Sequence, residues 1–220
     1  MCDIFDIEKT VAKTLLLKYK SPWEALPHIK EFILTLAPTL DKEIFTEVKP
    51  TVWIAKSAVI SPSADISGPC IIGENTEVRH SAFIRGSVIV GKNCVVGNST
   101  EMKNSIVFDS VQIPHYNYVG DSILGYRSHL GAGVVTSNVK SDKSPVSIKN
   151  GRDKIETGLK KFGAILGDFV EVGCNSVLCP GTVIGRNTTV YPLSLVRGFV
   201  PENSIFKSAE NIVIKSPKTK

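Results

Sequence analysis

Large apolar residues recur at every sixth position through the middle of this chain. From Ile54 the series runs through Ile60, Ile66, Ile72, Val78, Ile84, Val90, Val96, Met102 and Phe108. Four positions into each hexad come mostly small residues: Ala58, Ala64, Cys70, Thr76, Ala82, Val88, Cys94 and Thr100. Gly73, Gly91 and Gly97 directly follow their apolar residue, where a turn would need freedom in φ. Beyond residue 163 the series resumes in another register with Leu166, Val172, Leu178, Ile184, Val190 and Val196. A period of six matches neither a 3.6-residue helix nor a two-sided strand. It predicts an all-β fold, a parallel β-helix of hexapeptide repeats over residues 51–207. Three hexads close one triangular coil, and coils stack about 4.8 Å apart with apolar side chains filling the prism.

Two stretches depart from the repeat. Between the two registers lies "SIVFDSVQIPHYNYVGDSILG", residues 105–125, holding Pro114, His115 and Tyr118. Pro114 fixes φ and lacks an N–H, so a deviation of the strand is expected there. His115 is then set at an edge, with an unperturbed pKa near 6.5 suited to a general base. The second departure, residues 136–163, is a lysine-rich loop, either a mobile solvated segment or an arm reaching a neighbouring subunit.

The first fifty residues lack the period. "DIEKTVAKTLLLKY" has helical spacing, and "SPWEALPHIKEFILTLAP" offers Ser21 as N-cap, Pro22 at the first helical position and Glu24 three residues after the cap. A short helical segment and linker over 1–50, the β-helix over 51–207 and a solvated tail over 208–220 are therefore expected.

Hydrophobic residues are 42% and charged residues 21% of the 220, an ordinary globular balance. No apolar run is long enough for a membrane span, and the acidic start argues against a targeting peptide; a cytoplasmic location is expected. The net charge of +5 sits in loop and tail lysines and suits an anionic small substrate. No basic stripe interleaved with aromatics points to nucleic acid. Cys2, Cys70, Cys94, Cys174 and Cys179 form no CxxC pair, so neither a zinc knuckle nor a disulfide framework is indicated. Three zinc-binding histidines could come only from His80, His115 and His129 on the repeat, so a metal-dependent hexapeptide enzyme is disfavoured and no metal is expected. Arg85 and Lys103 lie 18 residues apart at one phase of the repeat. In a regular prism they would stack as like charges, a costly arrangement unless an anion sits between them.

The order of Arg85, "EMKNS", "PHYNYVGDSILG", "LGAGVVTSN", a lysine-rich loop and "GDFVEVGCNSVLCPGTVIG" resembles the acetyltransferase half of bifunctional glucosamine-1-phosphate acetyltransferase/N-acetylglucosamine-1-phosphate uridylyltransferases, in particular the archaeal-type sugar-1-phosphate nucleotidylyltransferases. The resemblance covers about residues 20–207, and "SPWEAL" resembles the segment after the nucleotidylyltransferase domain. It implies a left-handed β-helix, a homotrimer with sites between subunits, and acetyl transfer from acetyl-CoA to an amino-sugar 1-phosphate in the supply of UDP-N-acetylglucosamine. By the same resemblance His115 is the catalytic base, and Asn138 lies near base and sugar, donated by the adjacent subunit. Arg85, Lys103 and Tyr118 match substrate contacts. Ala132, Cys174, Pro192 and Lys207 fall at acetyl-CoA positions, the family usually having serine where Cys174 stands. His129, a further candidate substrate contact, replaces an asparagine and Val139 a tyrosine, and Lys143 and Lys149 are the candidates for the loop lysine that binds substrate. No Gly-rich phosphate loop of a nucleotidylyltransferase occurs in these residues, so neither uridylyl transfer nor its magnesium is expected. The alternative reading is a non-catalytic trimerising or regulatory subunit partnering a separate nucleotidylyltransferase chain.

Overall fold

The computed structural model describes residues 4–151 and 153–216; Cys2 and the last four residues lie outside them. Short strands wind into a parallel β-helix with three faces. Face A begins with Phe45–Lys49, antiparallel to Val52–Ala55, and continues in parallel through Cys70–Ile72, Val88–Val90, Ser105–Val107 and Ile123–Leu124 to Phe199–Val200. Face B carries Val95–Asn98, Gln112–His115 and His129–Leu130 among its nine strands. Face C carries Phe83–Ile84, Glu101–Lys103, Tyr118–Gly120 and Val135–Thr136 among its seven. The period-six residues Ile72, Val78, Ile84, Val90, Val96 and Met102 are buried inside the prism, and Cys70, Thr76, Ala82 and Cys94 are buried at its corners.

The corners, not Pro114, set the register. Asn75, Ser81, Ser87, Asn93 and Ser99 occupy the left-handed region at φ 54 to 58°. The next such residues are Asn104, Ser110, Tyr116 and Asp121, so the step shortens to five residues at 99→104 and again at 116→121. Strand pairing agrees: Ile72 pairs with Val90, 18 residues on, but Val90 pairs with Val107, only 17 on. The arithmetic series therefore fails at its tenth member. Val107 takes the interior position, and Phe108 turns outward, where it is buried against the Phe5 ring at 4.9 Å between centroids. The strand Gln112–His115 continues through Pro114, with the Pro114–Gly97 pair missing from its ladder to Val95–Asn98. Gly73, Gly91 and Gly97 do not supply positive φ. They are required by close backbone approach, and a Cβ on Gly97 would lie 1.6 Å from the Pro114 carbonyl oxygen.

The N-terminal segment is wound in short helical turns: Ile7–Lys9, Lys13–Leu16, Pro22–His28 and Ile29–Leu36. The Ser21 N–H donates to the Glu24 carboxylate at 3.2 Å, one arm of the expected cap. Face A reads as triplets apolar on both sides, such as "CII", "VIV" and "AIL", because its outer residues Ile71, Ile89, Ile106 and Ile165 are also buried, in one core with Leu26, Ile29 and Ile33. Two buried or half-buried carboxyl-bearing corners tie this segment down. The Asp168 carboxylate accepts from the Asp6 and Tyr126 N–H groups and pairs with Arg186 at 3.1 Å, and the Asp109 N–H donates to the Lys9 carbonyl at 2.9 Å.

The lysine-rich stretch is an antiparallel hairpin, Ser147–Asn150 with Asp153–Glu156. Within the expected tail, Asn211–Ile214 forms an antiparallel strand on Ser204–Ser208. Among the described residues no helix is long and apolar enough to cross a membrane.

Candidate active site

Parallel coils place residues one coil apart above one another, so each corner carries a row. The corner from face B to face C carries Asn98, His115, Ala132, Cys174 and Pro192. The Tyr116 N–H donates to the Asn98 carbonyl (3.0 Å), Gly133 to His115 (3.0 Å), Asn175 to Ala132 (2.8 Å) and Leu193 to Cys174 (2.9 Å). The sequence-predicted base and three predicted cofactor contacts thus fall on one edge. His115 ends its strand and is exposed. Its Nδ1 lies 3.1 Å from Asn98 Oδ1. With that oxygen accepting, Nδ1 carries the hydrogen and Nε2 is left with a lone pair. Asn117, buried behind the corner, accepts from the His115 N–H at 3.1 Å and donates to the Gly131 carbonyl at 2.8 Å. Below His115 the row is Ala, Cys and Pro, whose short side chains leave a flat edge. Lys207 sits near its far end, with its ammonium 5.8 Å from the Tyr191 ring centroid.

The corner from face C to face A carries Arg85 above Lys103, as the repeat predicts; the Arg85 N–H donates to the Met102 carbonyl in the strand register that aligns Ile84 with Met102. The like-charge problem is resolved differently from the expectation of a ligand anion alone. Each cation already has a carboxylate. Arg85 donates to Glu101 at 2.7 Å, and that neighbour raises the guanidinium pKa further. Lys103 reaches Asp121 at 3.0 Å, with 18% and 6% of the two side chains exposed. Asp121 also accepts from Asn104 at 2.9 Å and from Asn138, and Asn138 donates to the Tyr118 hydroxyl at 3.3 Å. Lys103, Tyr118 and Asn138 are therefore gathered around one buried carboxylate. Sequence reasoning missed Asp121, Glu101 and Asn117, since Asp and Asn in a turn read first as turn formers.

These two corners are opposite edges of face C. His115 precedes Tyr118–Gly120 and Asp121 follows it, a separation of roughly 15 Å at about 3.3 Å per extended residue. Within one chain Asn138 thus lies away from His115. His129 lies on face B, aligned with Gln112 rather than His115, and its Nδ1 is 2.8 Å from the Glu171 carboxylate. Lys143 occupies a loop turn at φ 56°. Lys149 lines a separate cleft with Lys140, Lys154 and Arg197. Among the described residues no three His, Cys, Asp or Glu side chains cluster as a metal site.

A family profile, the GMPPB C-terminal domain, matches residues 66–213, which include every residue of both corners. The chain belongs to the GMPPB C-terminal domain family. Among curated relatives, the bifunctional protein GlmU of Methanococcus aeolicus is 32% identical over 114 residues, 52% of this chain and 28% of that protein. The bifunctional sugar-1-phosphate nucleotidylyltransferase/acetyltransferase of Sulfurisphaera tokodaii is 33% identical over 103 residues, 47% of this chain and 26% of that protein. This member of the GMPPB C-terminal domain family thus matches little more than a quarter of the length of those relatives. The acetyltransferase domain of PglB from Neisseria gonorrhoeae, solved with acetyl coenzyme A, is 16% identical with a TM-score of 0.40, over 74% of this chain and 56% of that one.

Proposed function

We propose that this chain transfers an acetyl group from acetyl-CoA to the amine of an amino-sugar 1-phosphate, glucosamine 1-phosphate in the first instance, giving the N-acetylated sugar 1-phosphate. The observation that carries the reading is the row in which His115 stands directly above Ala132, Cys174 and Pro192. A base with a free Nε2 stands at the head of a flat, small-residue edge along which an extended thioester-bearing chain can lie. The resemblance to acetyltransferases and the names of the relatives point the same way.

Acetyl-CoA supplies an activated acyl thioester. His115 takes a proton from the sugar amine as its nitrogen attacks the thioester carbonyl, and the imidazolium then returns it to the departing thiolate. The tetrahedral oxyanion requires a donor, for which an N–H on the same corner is the candidate. Arg85 and Lys103 hold the sugar phosphate, Arg85 through a bidentate fork in exchange for its exposed pairing with Glu101. Tyr118 and Asn138 contact the sugar. Because Asn138 and Lys103 lie across face C from His115 of the same chain, the complete site is assigned to the junction of two copies in a homotrimer. The test is mass spectrometry after incubation of the purified protein with acetyl-CoA and glucosamine 1-phosphate, with galactosamine 1-phosphate in parallel. An N-acetylated sugar 1-phosphate supports the reading, and its absence with both sugars from a folded oligomer removes it.

A further inference from the structure

The face C to face A corner does not end at the Lys103 group. Strand register carries it onward through Gly120, Ser137 and Cys179 to Arg197. Arg197 stands four strand spacings beyond Lys103, roughly 19 Å at about 4.8 Å each. There the hairpin packs against the coil so closely that a Cβ on Gly198 would lie 2.4 Å from the Lys149 carbonyl oxygen. Between hairpin and coil opens a cleft of about 500 Å³, lined by Ser137, Lys140, Ser147, Lys149, Lys154 and Arg197.

The charges in this cleft do not balance locally. Lys140 is paired with Asp142 at 3.6 Å and Lys154 with Glu156 at 2.6 Å. Among the described residues, no carboxylate pairs with Lys149, and the contact of Arg197 is a long one, 4.0 Å to the Cys179 sulfur. Asp142 is in the same lining but is paired with Lys140, so two cations from separate segments, Lys149 and Arg197, line one concavity without a carboxylate partner of their own, beside the hydroxyls of Ser137, Ser141 and Ser147. Convergent unneutralised cations raise the local concentration of anions. A guanidinium fork and an ammonium match the oxygens and double charge of a phosphomonoester.

We propose that this cleft is a second anion site, which binds a phosphomonoester between Lys149 and Arg197, apart from the Arg85 and Lys103 position. One phosphate group cannot bridge the two positions at their separation. The phosphomonoester comes either from the 3′-phosphate of CoA or from a sugar phosphate.

Isothermal titration of the full chain with inorganic phosphate tests it. Lys149→Gln and Arg197→Gln are each expected to weaken one class of phosphate binding at least tenfold, whereas Lys103→Gln leaves that class intact. Arg197→Lys is expected to lie between wild type and Arg197→Gln. Hydrogen–deuterium exchange on the unmodified protein gives a readout that no variant's folding can blur. Phosphate is expected to protect amides at 137–150 and 195–199. Unchanged binding in the two Gln variants, or no protection in those segments, would overturn the proposal. Titration with CoA against 3′-dephospho-CoA, and with glucosamine 1-phosphate, then assigns the source: the ligand whose affinity falls in Arg197→Gln is the one the cleft holds. Acetyl transfer is measured separately, so loss of one claim does not entail loss of the other.

Discussion

Asp121 is a buried carboxylate at φ 49° that receives Lys103, Asn104 and Asn138 together. Removing it strands a mostly buried ammonium. Asp121→Ala is therefore expected to cost about 3 kcal/mol in urea unfolding, and Asp121→Asn, which keeps an acceptor, less. Burial also separates the cysteines. It pushes the Cys94 thiol up to about 12 and raises that of Cys70, whereas Cys174 is exposed on the His115 row. Mass mapping after brief alkylation at pH 8 should find Cys174 labelled before Cys70 and Cys94, and acetyl-CoA should slow that labelling if it lies along the row. The carboxyls of Asp109 and Asp168 are pushed above the ordinary aspartate value of about 3.8, chiefly by burial, against hydrogen bonds that pull them down. The native state then holds protons that the unfolded chain releases. Stability carried by these two groups is present at acid pH and falls as pH rises from about 3.8 through their raised values. Wild type compared with Asp109→Asn in urea at pH 4 and pH 6 should show the larger decline in wild type. An equal decline would contradict that sign.

At the scale of the strand and corner, Gly97 and Pro114 set how closely two coils approach just before His115. Gly97→Ala is expected to cost roughly 1–3 kcal/mol in thermal or urea unfolding, and to lower turnover by displacing the His115 strand. The elements also show what a sequence can and cannot reveal. The hexad period, the helical character of the N-terminal segment and the stacking of Arg85 on Lys103 were all legible, because each follows from spacing alone. The five-residue corners were not. Phe108 is apolar and extends the arithmetic series, although its side chain faces the N-terminal segment instead of the prism. Glycines next to the apolar residues looked like turn residues, but the left-handed positions fall two residues later on Asn and Ser. The hairpin within 136–163 was hidden because lysines on both strands mask any alternation. His115 was legible as a residue out of place in a regular coil. Its partner Asn98 was not, since pairing across a 17-residue coil requires the shortened register, and Asn117, two residues on, reads first as a turn former.

At the scale of the molecule, face A is covered by the chain's own N-terminal segment, whereas face C exposes Leu195, Val177 and Phe83 in one outward ladder with Tyr118. That face, which also carries the proposed substrate contacts Lys103 and Tyr118, is the surface on which the proposed homotrimer would close its sites. Light scattering after size exclusion is expected to give three chains, and Val177→Asp is expected to dissociate them and abolish turnover together. A monomeric wild type with full activity would refute the shared site. The central claim, that His115 on its small-residue row is the base for acetyl transfer, is tested most directly by kcat of wild type and His115→Ala with acetyl-CoA and glucosamine 1-phosphate. The expected result is a loss of about 10²–10⁴-fold with melting temperature and oligomeric state unchanged. Undiminished turnover in His115→Ala would contradict the account.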